Sequence, residues 1–232
     1  MESEYQKVKR RKKRRKKIIR RRIFSLVIVF LIVFCGVKIA KKSLKNGDLF
    51  SFITSAYDAK KVEKAKELEL PSWIDKQIIH KHNTARTGIE LVGINDIVIH
   101  YVGNPDTTAQ NNRDYFDKND TGVSSHFVVG LDGEIIQCVP IYERSAASNN
   151  RNKDTISIEV CHPDESGKFN EKTTESLKKL CVYLCRQFSL DENDIIRHYD
   201  VTGKICPKYF VEHEDKWDEF KESIKELLDE KE

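Results

Sequence analysis

Apolar and polar positions alternate in two distinct rhythms along the second half of the chain. Residues 96–101 (DIVIHY) form a compact apolar run that ends in a histidine, the pattern of a buried strand. Residues 155–161 (TISIEVC) alternate strictly and predict another strand, with Glu159 on it. The runs 126–129 and 134–139 flank Leu131, Asp132 and Gly133, and an Asp-Gly pair between apolar runs predicts a hairpin. A last short strand is expected over 194–197. The helical rhythm is clearest over 171–188, where Leu177, Leu180, Cys181, Leu184 and Phe188 fall on one face. Trp217, Phe220, Ile224, Leu227 and Leu228 mark an amphipathic C-terminal helix, and Thr108 can cap a short helix over 109–116. Residues 141–154 are polar and read as a loop. The order strand, helix, hairpin, strand, helix, strand, helix predicts an α/β fold with a central mixed β-sheet flanked by α-helices.

The first third of the chain follows other rules. Residues 23–37 (IFSLVIVFLIVFCGV) carry no charge, and the run extends to Ala40 if Lys38 snorkels. Residues 1–22 hold 13 Lys/Arg against Glu2 and Glu4, a local net charge of +11, while the rest of the chain has a net charge of −7. A basic cluster directly before an apolar run places the N-terminus in the cytoplasm and the body outside. No small-x-small cleavage pattern follows the run, so an uncleaved signal anchor is expected rather than a signal peptide. The body is mildly acidic and lacks the basic face of a nucleic-acid binder. The expected organisation is a basic cytoplasmic tail (1–22), a transmembrane signal anchor (23–40), a polar stalk (41–75) and one domain (76–232). The protein is expected at the cell membrane, single-pass, with its domain on the extracytoplasmic, cell-wall side.

Candidate chemistry concentrates in RHYDVTGKICP (197–207). His198 and Cys206 cannot sit on adjacent turns of one helix, but a loop that folds back brings both to one point. Imidazole and thiolate are ligand types that zinc prefers. Lys204 between them adds a fixed positive charge, of use where negative charge develops on oxygen. Seven histidines compete for a third ligand position. His80 and His82 lie in a charged, irregular stretch, and His213 opens the last helix. His100, His126, His162 and His198 stand at or just beyond the ends of apolar strands, where distant segments converge. Local spacing does not choose among them. Cys181 and Cys185, four apart on a helix face, read as buried free thiols, and an extracytoplasmic compartment permits disulfides without requiring them.

A resemblance makes the choice. IVIHYVGNP (97–105), SSHFVVGLDGEIIQ (124–137), ISIEV (156–160) and RHYDVTGKICP occur in the order in which similar stretches occur in the zinc-dependent N-acetylmuramoyl-L-alanine amidases, a family whose fold is shared with the peptidoglycan recognition proteins. The chain from about 83 to 217 resembles that family. The resemblance implies zinc ligands His100, His198 and Cys206, with Lys204 at the family's catalytic lysine and Glu159 at the general base of one branch. A tyrosine used by the phage branch is replaced here by Ser125, which leaves more of the proton transfer to Glu159. Tyr101, Ser125, His126 and Asn150 are candidate substrate contacts, and His126 is expected to be structural or substrate-facing, not a ligand. The implied activity is zinc-dependent cleavage of the amide between N-acetylmuramic acid and L-alanine in peptidoglycan. The alternative is a non-catalytic peptidoglycan-binding receptor or scaffold on the same fold, which typically lacks the cysteine ligand. A third possibility is a regulatory membrane protein whose tail binds an acidic cytoplasmic partner.

Overall fold

The computed structural model describes residues 48–81 and 84–230. The expected tail, the expected anchor, the stalk up to residue 47 and His82 lie outside the described residues. Among the described residues, no helix is long and apolar enough to cross a membrane. Residues 55–232 form one compact unit.

The elements are α1 (Asp48–Glu67), β1 (Ile74–Lys76), β2 (Asp96–Tyr101), α2 (Ala109–Phe116), β3 (Phe127–Val129), β4 (Ile135–Gln137), β5 (Thr155–Val160), α3 (Glu171–Phe188), β6 (Ile195–Arg197), α4 (His198–Thr202), α5 (Lys208–Glu212) and α6 (Glu214–Asp229), with a 3-10 turn at Asn149–Lys153 and another at Glu192–Asp194. Six strands form one sheet in the order β1-β4-β3-β5-β2-β6. Only the β3–β4 pair, the predicted hairpin, is antiparallel; the other pairs are parallel. Gly133 takes the left-handed conformation that the turn needs (φ 84°), and Gly130 N–H donates to Glu134 O at 2.8 Å to close it.

Alternation along the central strands separates two faces. Ile156, Ile158 and Val160 join Ile97, Ile99, Phe127 and Val129 in the larger core, covered by Leu177, Leu180 and Leu184 of α3 and by Trp217, Phe220 and Ile224 of α6. A fully buried isoleucine of this kind contributes roughly 1.5–3 kcal/mol. Val128 and Ile136 turn the other way and pack with Ile79 and with Ala109 and Phe116 of α2 in a smaller core. The register pairs Glu159 with Val128 on one side and with His100 on the other, so the polar residues of β5 share this second face. Glu159 therefore lies on an inner strand, not at the sheet edge.

The helices start and stop where the sequence chemistry says they should. Thr108 caps α2 through a reciprocal capping box with Asn111. Asn170 caps α3 by accepting from Thr173 N–H, and Ser189 ends it in a left-handed conformation (φ 52°).

The expected boundary between stalk and domain is corrected. Val62 and Ala65 of α1 are buried in the larger core, and Lys61 Nζ donates to Ile94 O at 2.9 Å. Two small apolar residues three positions apart, amid Lys and Glu, suffice to seat a helix against a ready-made core. Further, β1 begins inside the expected stalk, at Ile74 and Asp75, and pairs with β4 as an edge strand. The folded body thus begins by Ser55.

Candidate metal centre

Three elements deliver three side chains to one point. His100 sits near the end of β2, on the second face of the sheet. His198 is the first residue of α4, directly after β6. Residues 198–202, expected as part of a loop, form this short helix because Asp200 closes a capping box. Its carboxylate accepts from Arg197 N–H at 2.8 Å and pairs with the Arg197 guanidinium at 2.9 Å. Gly203 ends the helix in the left-handed region (φ 76°). The chain then turns back, and Tyr199 N–H donates to Cys206 O at 2.9 Å. That fold-back places the Cys206 thiol beside the histidines.

The potential ligand atoms of His100, His198 and Cys206 all lie within 4.8 Å of one another. The two imidazole centroids are 4.5 Å apart, and Cys206 Sγ is 3.9 Å from His100 Nδ1. Ligands of one tetrahedral zinc ion stand roughly 3.3–3.7 Å apart, so a small closure completes the set. All three residues are buried. The remaining ring nitrogens are already engaged. His100 Nε2 lies 3.1 Å from Ser148 Oγ, and His198 Nε2 lies 3.1 Å from Asn149 Oδ1. An amide oxygen only accepts, so His198 carries its proton on Nε2 and presents Nδ1 as a lone pair.

The electrostatics of the donor set fit a cation. Burial, reinforced by His198 and Lys204, holds His100 well below the usual histidine range. Burial and then Lys204 lower His198 as well, so both rings are neutral, as metal ligands must be. Burial, followed by Glu159, pushes the Cys206 thiol up to about 12. Burial pushes Glu159 up to about 8 against the opposing pull of Lys204. Glu159 Oε2 is buried without a hydrogen-bond partner. A thiol and a carboxyl both kept protonated by desolvation, next to two imidazole lone pairs, form a set that a divalent cation relieves.

His100, Tyr101, Glu159, His198, Lys204 and Cys206 line one cleft of about 420 Å³. Lys204 is exposed at its rim. Tyr101 is half-buried in its wall, its ring 5.1 Å from that of His162. Asn150 is exposed and lines an adjoining cleft of about 360 Å³ that shares Ala146 with the first. Two of the candidate substrate contacts are placed elsewhere. Ser125 is fully buried and donates to Phe127 O at 2.7 Å. His126 is fully buried too. Its Nε2 lies 2.8 Å from Glu143 O, and its Nδ1 accepts from Ser157 N–H at 3.0 Å. Both are therefore internal supports, out of reach of a ligand in the cleft. His162 is buried behind Tyr101, and His80 is held by Asp117. Cys138, Cys161, Cys181 and Cys185 are free, buried thiols. The sequence reading did not find Ser148 and Asn149 as partners of the histidines; their only signal was the density of Ser and Asn in the 141–154 loop.

The sequence profile of the N-acetylmuramoyl-L-alanine amidase family matches residues 90–209. The chain belongs to that family. Among curated relatives, N-acetylmuramoyl-L-alanine amidase BlyA of Bacillus subtilis is 34% identical over 161 residues, covering 60% of this chain and 43% of the relative. N-acetylmuramoyl-L-alanine amidase CwlL of Bacillus licheniformis is 29% identical over 170 residues, covering 66% and 47%. This amidase-family chain thus spans less than half the length of either relative. Among solved structures, the catalytic domain of XlyA superposes with a TM-score of 0.57 at 27% identity, over 65% of this chain and 98% of that one. The mixed sheet with flanking helices is the fold they share. The matched residues include all of His100, Glu159, His198, Lys204 and Cys206.

Proposed function

We propose that this chain hydrolyses the amide between N-acetylmuramic acid and L-alanine in peptidoglycan, with zinc held by His100, His198 and Cys206. The observation that carries this reading is convergence: two neutral imidazoles, a thiol, a buried carboxyl and a lysine line one cleft in a member of the amidase family. Zinc, when bound, supplies Lewis acidity toward the scissile carbonyl and the attacking water. Glu159 Oε2, which has no partner within the protein, takes the proton that the water gives up and returns it to the leaving nitrogen of L-alanine. Glu159 is placed to carry a proton both ways, because it lines the same cleft as the three candidate ligands. Lys204 Nζ, at the rim, offers its positive charge to the oxygen on which negative charge develops.

The same proposal extends to location. Residues 23–40 anchor the protein in the cell membrane, the 13 Lys/Arg of residues 1–22 stay in the cytoplasm, and the folded body faces the wall. The support is the junction of charge and hydropathy in the sequence.

The test is digestion of purified peptidoglycan by the full-length chain, with products identified by mass. The expected products are free stem peptides with a new L-alanine amino terminus, absent with a chelator and with Cys206→Ala. Zinc and wall binding without cleavage would instead support the scaffold reading.

A further inference from the structure

The loop between β4 and β5 does more than connect two strands. Ser148 and Asn149 are consecutive, and each meets the outward nitrogen of a different histidine of the metal centre, at 3.1 Å in both cases. His100 and His198 come from distant parts of the chain, so one dipeptide spans both. The dipeptide is itself held. Asn152 Oδ1 accepts from Ala147 N–H at 3.0 Å and from Ser148 N–H at 2.6 Å. Arg151 pairs with Asp154 at 2.9 Å and with Asp96 at the start of β2. Asn149 adopts a left-handed conformation (φ 53°), which costs an ordinary L residue strain but which asparagine tolerates. Its side-chain Oδ1 is the atom that meets His198 Nε2.

We infer that Ser148 and Asn149 form a single bracket that fixes the orientation and tautomer of both histidine ligands and so sets the affinity of the metal centre. They are positioning residues; neither is a ligand. The Ser148 and Asn149 side chains of this polar loop are thus engaged by the two histidines. This inference rests on the metal-binding reading above.

The experiment uses the full-length chain and measures zinc affinity by competition with a chromophoric chelator, together with the visible spectrum of the cobalt(II)-substituted protein. Asn149→Gly keeps the left-handed backbone free of strain and removes the carboxamide side chain that meets His198. It is expected to weaken zinc binding about 10–100-fold and to alter the cobalt spectrum, with the melting temperature of the metal-free protein unchanged. Asn149→Asp retains the acceptor and is expected to restore affinity. Ser148→Ala is expected to weaken binding through His100 by a similar factor. Ser148 is fully buried, so Asn149→Gly decides the matter if Ser148→Ala fails to fold. Wild-type protein that binds zinc, with both variants binding within twofold of it and an unchanged cobalt spectrum, would overturn the bracket alone. Wild-type protein that binds no zinc would overturn the metal reading and the bracket with it.

Discussion

The two faces of β5 divide the labour of this domain. On one face Ile156, Ile158 and Val160 are fully buried among the aliphatic side chains of α3 and the aromatic side chains of α6. On the other face Ser157 and Glu159 sit among polar groups. Ser157 Oγ lies 2.7 Å from Ser145 Oγ and 3.1 Å from His126 Nδ1, while Glu159 keeps an unpartnered oxygen. The first face contributes stability through area removed from water. The second face leaves Glu159 Oε2 unsatisfied, and unpartnered buried polar groups collect where chemistry is done. Adjacent residues on one strand thus answer to different demands.

Substitutions can separate the faces. The largest expected effect is on the polar face: Glu159→Gln should lower turnover of peptidoglycan about 10²–10⁴-fold while leaving zinc stoichiometry and melting temperature close to wild type, as read by kinetics and metal analysis. Its neighbour should behave in the opposite way. Ile158→Ala should cost about 2–5 kcal/mol in denaturant unfolding, with zinc stoichiometry retained in the folded fraction. A smaller, pH-dependent effect comes from His126. Burial lowers it from 6.5 to about 4, so the folded chain binds fewer protons than the unfolded chain between those values. Its contribution is complete above pH 6.5 and is lost as pH falls toward 4, on the order of 3 kcal/mol in all. Urea unfolding of wild type against His126→Gln at pH 7.5 and pH 5 should reveal a steeper acid loss in wild type. Glu159 works with the opposite sign in the metal-free protein. Its raised value means that stability falls as pH rises through the window from 4.5 to about 8, and Glu159→Gln should flatten that part of the profile. The smallest effect should be at Lys172–Asp132, an exposed ion pair between the β3–β4 turn and the start of α3, where Asp132→Asn should change stability by less than about 1 kcal/mol.

The sequence carried the long periodic elements well. The helix read over 171–188 is α3 residue for residue, and the alternation in TISIEV marks β5 and both of its faces. Periodicity needs several turns or residues to register, so β1 with three residues and α4 and α5 with five each left no legible pattern. The fold-back of 197–207 was legible from spacing, because a loop that turns back can bring His198 and Cys206 to one point. His100 was not: it lies far upstream, and only the resemblance to the amidase family singled it out. Of the two roles open to His126, the structure shows the structural one, and Ser125, singled out by the family's tyrosine position, is buried as well, because burial of a polar pair before a strand is not legible from spacing. Ser148 and Asn149 escaped for the converse reason. Their partners are ring nitrogens brought close only by the assembled sheet. The seating of α1 on the core leaves only a weak signal, two small apolar residues among many charges.

The ligand set decides the chemistry of the cleft. Zinc K-edge X-ray absorption of the full-length chain, and of Cys206→Ala, tests it most directly. The predicted shell holds one sulfur at about 2.3 Å and two imidazole nitrogens at about 2.0–2.1 Å, with the sulfur gone in Cys206→Ala. A wild-type shell of nitrogen and oxygen without sulfur would contradict the assignment of His100, His198 and Cys206 as the metal centre.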